Sequence, residues 1–441
     1  MANGGDVDQW REEMRLAIDT RTHTTPQVAS INALDGAAIR ADFPVLNQEP
    51  RPGKRRLAFL DSAASSQKPR VVIDALTTYY AQHNANIHRG VYDLSEIATQ
   101  RYEESRKAIA RFINAGSARE CVFVRNTTEA INLVANSWGR ANIKAGDLIV
   151  FTTMEHHSNI VPWQLIAEER GARLGHVRVT PDGRLDLEHL AELLAEEPKL
   201  VAFTHVSNSL GTVNPAKEMV ALAHAAGAVT LIDAAQSVPH MAVDVQDLDC
   251  DFLAFSGHKM LGPMGAGVLY GKKRLLDAMP PFLGGGSMIR KVTLDRTTWA
   301  DVPAKFEAGT PAVADAIVLS VAADYLSTLG MDRVWRHEQD LIAFALDRIR
   351  DVPGLVVIGP QDTHERSGVL SFAFDEIHPH DVAAILNEDN VAVRAGHHCT
   401  QPLMAALGVP ATTRASFYIY NDEEDVERLV ESLHRVVEIF R

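Results

Sequence analysis

The sequence predicts an α/β protein with a large domain built on a mostly parallel, seven-stranded sheet and a smaller α+β C-terminal domain. From Leu57 onward, short and nearly continuous apolar runs alternate with longer segments of helical period. This alternation is typical of a parallel sheet that helices cover on both faces. After about residue 325 the apolar runs become sparser, which indicates the second domain. With 441 residues, 46% of them hydrophobic, the chain can bury a large core.

Seven short apolar runs are the predicted strands of the large domain. In chain order they are CVFV (121–124), LIVFTT (148–153), RLGHVRV (173–179), LVAFTHVS (200–207), AVTLID (228–233), DFLAFS (251–256) and GAGVLYG (265–271). The helical segments between them include TTEAINLVANSWGR (127–140), NIVPWQLIAEERG (159–171), LDLEHLAELLAEE (185–197) and AKEMVALAHAAG (216–227). In the smaller domain, the runs GVLSFAFD (368–375), VAVRAG (391–396) and ASFYIYN (415–421) are predicted strands.

The same patterns of apolar and polar residues suggest the domain limits. Residues 1–36 are polar and lack a sustained apolar pattern, so we predict a poorly ordered N-terminal arm. The large domain is predicted over 58–325. The small domain is predicted to combine 37–57 with 326–441.

Composition excludes several classes of function. The net charge of −14 at pH 7 argues against a nucleic-acid-binding surface, which requires a basic face. The N-terminal residues have no apolar core typical of a signal peptide, and no apolar stretch approaches the roughly 18 to 20 residues that cross a bilayer. Three cysteines without metal-ligand spacing fit a reducing compartment. We therefore expect a cytoplasmic protein that binds neither nucleic acid nor membrane.

Polar residues follow most of the predicted strands directly. They are Arg125 to Glu129 after the first strand, Met154 to His157 after the second, Asn208 after the fourth, Asp233 and Gln236 at the fifth, and Ser256 to Lys259 after the sixth. In open α/β sheets, ligands bind outside the carboxyl ends of the strands. We therefore expect these side chains to converge on one rim of the sheet.

Each of these residues also has a purely structural interpretation. Thr127 and Thr128 are suited to capping the following helix, although a helix N-terminus with hydroxyls also suits a phosphate. Asp233 can brace a turn, and His156 alone is typical of a hydrogen-bonded structural histidine. Lys259 alone resembles a solvated loop lysine. Its position after a buried strand, on the same rim as the others, favours a functional role.

The combined set points to pyridoxal 5′-phosphate as cofactor. A lysine with a lowered pKa forms a Schiff base with an aldehyde. A carboxylate keeps the pyridine nitrogen protonated, so that the ring can accept electrons. An imidazole stacks on the ring, while hydroxyls and backbone N–H groups bind the phosphate. The sequence supplies these groups in Lys259, Asp233, His156 and the two threonines at 127 and 128.

Several segments together resemble a known family. They are TTEAINLVANSWG, MEHHSNIVPWQ, THVSNSLGTVNP, DAAQSVPH, FSGHKMLGPMGAGVLYG, and VRAGHHC followed by RASFYIYN. Over about residues 37 to 441 the chain resembles the group II (SufS-type) cysteine desulfurases, which depend on pyridoxal phosphate. The resemblance implies fold type I (aspartate-aminotransferase-like) and a homodimer. It also implies conversion of L-cysteine to L-alanine, with the sulfur retained as an enzyme persulfide for iron–sulfur cluster assembly.

The resemblance also implies roles at the cofactor. Lys259 is the Schiff-base lysine and moves a proton at the substrate α-carbon. Asp233 faces the pyridine nitrogen and Gln236 the phenolic oxygen, while His156 stacks on the ring. The phosphate-binding residues implied by the family are Thr127, Thr128, Ser256, His258 and, from the neighbouring subunit, Thr310.

Substrate binding and sulfur transfer are assigned by the same resemblance. Asn208 and Arg414 bind the substrate carboxylate, and His88 and Arg89 lie in a segment near the active site. Cys399 attacks the substrate sulfur and becomes the persulfide. Independently of the resemblance, a nearby cation such as Arg394 or a protonated histidine favours the thiolate. The adjacent histidines of EHH and HHC do not predict a metal site, because neighbouring ligands point apart and no matching ligands follow.

Alternatives to this activity remain open at the level of sequence. A selenocysteine lyase uses the same scaffold and depends less on Cys399. A kynureninase-like enzyme has no need of the RAGHHC segment, and a non-catalytic binding protein has no need of Lys259. For the desulfurase, the expected partner is a sulfur-acceptor protein of the SufE or SufU type.

Overall fold

The computed structural model describes residues 34–50 and 52–440. The predicted N-terminal arm therefore lies outside the described residues up to position 33. Leu34 is buried in the core, and the side chain of Asp35 accepts a hydrogen bond from the Ala38 N–H and so caps the first helix.

The helices are distributed along the whole described chain. In order, they are α1 (Gly36–Arg40), α2 (Arg70–Thr78), α3 (Asp93–Phe112), α4 (Thr127–Val134), α5 (Arg140–Asn142), α6 (Val161–Arg170), α7 (Leu187–Leu194), α8 (Ala216–Ala225), α9 (Val245–Leu248), α10 (Lys273–Ala278), α11 (Val313–Leu329), α12 (Met331–Ile349), α13 (Pro379–Glu388), α14 (Gln401–Ala406) and α15 (Glu423–Phe440).

The strands form one large and one medium-sized sheet, with two short pairs. In order, they are β1 (Ala58–Phe59), β2 (Cys121–Val124), β3 (Leu148–Thr152), β4 (Arg173–Val177), β5 (Leu200–Thr204), β6 (Val229–Asp233), β7 (Phe252–Ser256), β8 (Gly267–Gly271), β9 (Ile289–Val292), β10 (Thr297–Trp299), β11 (Leu355–Ile358), β12 (Val369–Phe374), β13 (Val391–Ala392), β14 (Arg394–Gly396) and β15 (Thr412–Ser416).

The seven predicted strands of the large domain form a single sheet in the order β2-β8-β7-β6-β5-β3-β4. The strands from β7 to β4 pair in parallel, and only β8 runs antiparallel to its two neighbours. Successive residues of a strand point to opposite faces, so Val150 and Phe151 of β3 lie in two different apolar clusters. Both faces of the sheet are therefore buried, and the predicted fold class is confirmed.

The C-terminal sheet differs from its prediction in detail. Its order is β11-β12-β15-β14, and all its pairings are antiparallel. The predicted strand 415–421 is wrong in its limits, because the strand spans Thr412–Ser416 and pairing with β12 ends at Ser416. The run that follows is apolar because Phe417 to Tyr420 pack in the core, not because they extend the sheet.

Elements near the predicted domain limits contact both parts of the molecule. Strand β1 pairs in parallel with β13 of the C-terminal part. Helix α11 runs through residue 325 without interruption. Arg40, from the segment before β1, forms an ion pair with Asp425 of α15 at 3.7 Å. The limits themselves stay predictions.

Helices α11 and α12, taken together as one segment, have the length and apolar composition of a membrane span. Within 34–50 and 52–440, no single helix is both long and apolar enough to cross a membrane. The pair is α11 and α12, which are bent by 73° relative to each other.

Candidate active site

A cavity of about 330 Å³ lies at the carboxyl ends of the strands in the large sheet. This is the rim at which open α/β sheets bind ligands. Twelve of the predicted site residues line it: Thr127, Thr128, His156, Asn208, Asp233, Gln236, Ser256, His258, Lys259, Arg394, Cys399 and Arg414. Residues of the large sheet rim and of strands β14 and β15 thus meet around one space.

Lys259 enters the cavity from a tight turn that follows the buried strand β7. The carbonyl oxygen of His258, just before it, accepts hydrogen bonds from the Ser66 N–H at 3.1 Å and from Lys68 Nζ at 2.9 Å. Burial lowers the pKa of Lys259 to about 8, and the nearby Asp233 carboxylate partly opposes this shift. A substantial fraction of the amine is therefore neutral, as a nucleophile requires.

Asp233 and Gln236 form the floor of the cavity beneath β6. The Asp233 carboxylate accepts a hydrogen bond from the Ala235 N–H at 3.0 Å, and burial raises its pKa. The Gln236 amide nitrogen donates to the Ala63 carbonyl at 2.7 Å. Its oxygen is buried without a hydrogen-bond partner. A buried unpaired acceptor is costly and indicates that a ligand donor completes this site.

Hydroxyl groups meet at the N-terminus of α4. The Ser256 hydroxyl bonds both to the Thr127 N–H at 2.8 Å and to the Thr127 hydroxyl at 2.7 Å. The Asn126 side chain caps the helix by accepting from the Glu129 N–H at 3.0 Å. A Cβ at Gly267 would lie only 2.7 Å from the Asn126 Cα, so this close approach of β8 requires glycine. Free N–H groups and hydroxyls at a helix start are suited to a phosphate.

His156 is held in one tautomer by the residue two positions later. The Ser158 N–H donates to His156 Nδ1 at 3.1 Å, so the neutral ring carries its proton on Nε2. Burial, together with the positive charge of Lys259, lowers the pKa of His156 to about 3. The ring is therefore neutral at physiological pH, which suits an aromatic stacking partner.

Two arginines from neighbouring strands face the cavity beside one carboxylate. Arg394 of β14 and Arg414 of β15 are directly paired across the antiparallel strands. Both form ion pairs with Asp61, at 2.8 Å and 3.1 Å. Arg414 also donates to the Asn208 carbonyl at 2.8 Å, while its Nε is buried without a partner. That free donor is suited to a substrate carboxylate.

Cys399 lies at the cavity mouth on a loop with an unusual backbone. His398 and Cys399 both have positive φ values, 53° and 59°, a conformation that costs free energy for residues other than glycine. The loop is held by hydrogen bonds from the His157 N–H to the Cys399 carbonyl at 2.8 Å and from the Asn208 amide to the His398 carbonyl at 2.7 Å. The Cys399 side chain is exposed, whereas Cys121 and Cys250 are buried.

Three predicted site residues do not line this cavity. His88 is exposed and lies 3.3 Å from Glu103, and Arg89 next to it is also exposed. Thr310 is exposed and lines a different cavity, of about 520 Å³, together with Glu307. The roles of these three residues stay predictions.

Sequence reasoning gave no role to three further residues that support the site, although it placed Glu155 on the rim. Asp61 joins the two arginines from more than 300 residues away in the chain, and no local pattern marks it. Lys68 supports the turn before Lys259. Glu155 is fully buried beneath the cavity, where it accepts from the Thr204 N–H at 2.9 Å and the Asn159 amide at 2.6 Å. For Glu155 alone a signal existed, since it precedes His156 at a strand end.

Comparison with known proteins identifies the family. Residues 58–429 match the family described as Aminotransferase class-V. This chain belongs to the class-V aminotransferases. The matched residues include the large sheet, the residues that line the cavity and most of the C-terminal sheet and helices.

Three similar proteins are named as cysteine desulfurases. A probable cysteine desulfurase of Halalkalibacterium halodurans is 52% identical over 402 residues, which are 91% of this chain and 98% of the relative. The cysteine desulfurase of Haloferax volcanii is 48% identical over 418 residues, with coverages of 92% and 98%. The apo structure of a cysteine desulfurase from Thermococcus onnurineus NA1 superposes with a TM-score of 0.87 at 40% identity, covering 93% of this chain and 100% of that one. These matches confirm the predicted fold type.

The cofactor of this class-V family is pyridoxal 5′-phosphate, as predicted. The residues present fit it: the unpaired Gln236 oxygen, the buried Asp233 carboxylate and the hydroxyls at the start of α4 are the complements of its polar groups. When bound, the cofactor supplies an electron sink for charge that develops at the substrate α-carbon. Lys259 and Asp233 are the residues that would hold its aldehyde carbon and its pyridine nitrogen.

The lowered pKa of Lys259 leads to a prediction about cofactor loading. The rate at which cofactor-free enzyme becomes covalently loaded should rise with pH and level off above about pH 8, because the neutral amine is then the main form. The rate is measured from the visible absorbance of lysine-bound cofactor across a pH series. A rate that keeps rising to about pH 10, as an ordinary lysine requires, contradicts the prediction.

Proposed function

We propose that this protein is a cysteine desulfurase that removes the sulfur of L-cysteine and transfers it to Cys399. One observation carries the proposal: an exposed cysteine is held at the mouth of the cavity that contains Lys259. The names of relatives that are about half identical over nine-tenths of the chain support the same activity.

The proposed reaction balances without an added oxidant or reductant. The Cys399 thiolate attacks the sulfur of the substrate, and the substrate carbon–sulfur bond breaks. Its electron pair remains with the carbon, which takes up a proton, so that the products are L-alanine and a persulfide on Cys399. The transferred sulfur loses the two electrons of the broken bond to the carbon, so the sulfur is oxidised and the carbon is reduced by the same amount.

The residues around the cavity have separate roles in this proposal. Arg414 binds the substrate carboxylate through its unpaired Nε. Asn208 lies beside Arg414, and its side chain holds the Cys399 loop. Lys259, whose pKa is about 8, accepts and returns a proton at the substrate α-carbon. His156 stays neutral and packs on the cofactor ring, with its Nε2 proton available to the reacting groups.

Selenocysteine lyase is the alternative that sequence reasoning left open. The relatives at 48 to 52% identity are named cysteine desulfurases, which disfavours the lyase. The position of Cys399 also favours a reaction in which the enzyme accepts the sulfur.

The finer assignments are part of the proposal. We place the protein in the SufS-type group, in the cytoplasm, with a SufE- or SufU-type acceptor that carries sulfur to iron–sulfur cluster assembly. We infer a homodimer from the resemblance to the group II cysteine desulfurases. In that dimer, Thr310 reaches the phosphate of the neighbouring subunit, and His88 and Arg89 lie near the active site.

The function is tested by single-turnover stoichiometry. Wild-type holoenzyme, in a small excess over L-cysteine, is mixed with it without reductant, and the products are quantified. We expect one L-alanine for each sulfur atom added to the protein, with the added mass located on the peptide that contains Cys399. Release of pyruvate and sulfide, or alanine without protein-bound sulfur, would contradict the proposal. L-Selenocysteine in a parallel reaction distinguishes the lyase activity.

A further inference from the structure

The two cavity arginines share a single counter-ion. Asp61 accepts two hydrogen bonds from Arg394, at 3.0 Å from Nε and 2.8 Å from Nη2, and one from Arg414 Nη2 at 3.1 Å. The backbone around Asp61 is held by β15, since the Ser416 N–H donates to the Leu60 carbonyl at 2.8 Å. Asp61 is therefore in a defined position, and it balances one of two adjacent positive charges.

The contact between Arg394 and Asp61 has the geometry of ligand recognition. Two parallel hydrogen bonds from a guanidinium to a carboxylate form the bidentate arrangement by which arginine binds acidic groups. The hydrogen bonds that Arg394 donates to Asp61 raise the pKa of Arg394. The side-on pair of Arg394 donors, Nε and Nη2, is thus already taken by a side chain of the protein itself.

The position of this pair in the cavity makes it relevant to the substrate side chain. Arg394 and Cys399 both line the cavity, and a thiolate at Cys399 acts electrostatically on Arg394. Arg414 differs from Arg394 in that it is 2% exposed and keeps an unpaired Nε. Arg414 thus has a free donor for one carboxylate, whereas Arg394, near the sulfur acceptor, is already occupied.

We propose that Asp61 is a specificity-determining residue that occupies Arg394 and thereby restricts the site to amino acids with an uncharged side chain. This inference rests on the proposed function. An amino acid with an acidic side chain, such as L-aspartate, would place a second carboxylate beside Arg394. The Asp61 carboxylate competes with the ligand carboxylate for the donors of Arg394 and repels its negative charge. The thiol of L-cysteine does not need a guanidinium donor and is not excluded in this way.

The test compares the binding of L-aspartate and L-asparagine, which differ in side-chain charge but have nearly the same shape. Dissociation constants are measured by calorimetry on holoenzyme for the wild type and for Asp61→Asn. We expect Asp61→Asn to tighten L-aspartate binding at least about tenfold, which corresponds to about 1.4 kcal/mol. Binding of L-asparagine should change less than about threefold, because a neutral amide gains little from a freed guanidinium. Equal changes for both ligands, or no tightening for aspartate, would overturn the proposal.

Two further variants assign the effect to Arg394. Adding Arg394→Gln to Asp61→Asn should remove the gain in aspartate binding, and a gain that persists contradicts the role of Arg394. Arg394→Gln alone should leave the aspartate dissociation constant within about threefold of wild type, because Asp61 already occupies Arg394. A tenfold weakening in that single variant would show that Arg394 is available to ligands, and would overturn the proposal even if Asp61→Asn fails to fold. Turnover of L-cysteine by the wild type, measured in parallel, separates a failure of this inference from a failure of the proposed function.

Discussion

Replacing Lys259 by alanine should lower the rate of L-alanine formation from L-cysteine by at least about 10³-fold, because one amine acts both as nucleophile and as proton carrier. The amine is poised for both tasks, since burial lowers its pKa to about 8. No other lysine lines the cavity of the described chain. The loss should appear in kcat, because the residues that bind the substrate carboxylate are unchanged.

The measurement for Lys259→Ala combines turnover with cofactor content. Asp233, Gln236 and the hydroxyls at the start of α4 remain in the variant, so it should still bind the cofactor, but without a covalent link that borohydride can trap. Lys273→Ala is the matched control, because Lys273 lies on α10, does not line the cavity and forms an ion pair with Asp277 on the same helix. Residual turnover within tenfold of wild type would show that Lys259 is not the proton carrier.

Replacing Cys399 by alanine should lower desulfuration of L-cysteine at least about 10²-fold, equivalent to about 2.7 kcal/mol in the activation free energy. The physical reason is that the thiolate of Cys399 is the proposed acceptor of the sulfur atom. The variant should keep its fold, because Cys399 is exposed and the carbonyl groups of its loop accept hydrogen bonds from the His157 N–H and the Asn208 side-chain amide. Cofactor loading should be unchanged.

The controls for Cys399→Ala use the other two cysteines. Cys250→Ala and Cys121→Ala should keep the desulfuration rate within about threefold of wild type, although the loss of a buried side chain lowers their free energy of unfolding. Alanine release and protein-bound sulfur are measured for all three variants. If Cys399→Ala keeps full desulfuration of L-cysteine, the enzyme cysteine is not the acceptor, and a lyase becomes the better interpretation.

Much of the fold follows from local features of the sequence. The runs at 121–124 and 252–256 are buried strands because they are continuously apolar, and the polar residues after them mark where each strand ends. Strand ends in a parallel sheet lie on one rim, so Asp233, Ser256 and Lys259 were brought together by reasoning from topology alone. The fold class and the cofactor were predictable for this reason.

Strand limits in the C-terminal sheet were less predictable. Residues 417–420 are apolar and β-branched or aromatic, like a strand, yet the strand ends at Ser416. The limit depends on how far β12 extends alongside, which is a long-range pairing and not a local preference. The hairpin of β9 and β10 was missed because both strands are polar and largely exposed.

The sequence by itself determined the sheet, the rim residues and the chemistry they suggest, because each depends on the order of apolar and polar residues along the chain. Only the tertiary structure decided that Asp61 joins Arg394 and Arg414, and it gave the position beside the Lys259 cavity to Cys399, to which the family resemblance had assigned sulfur transfer. These contacts connect residues that are hundreds of positions apart. They arise where the C-terminal strands meet the rim of the large sheet, as in the hydrogen bond from Arg414 to the Asn208 carbonyl, and no local pattern encodes that contact.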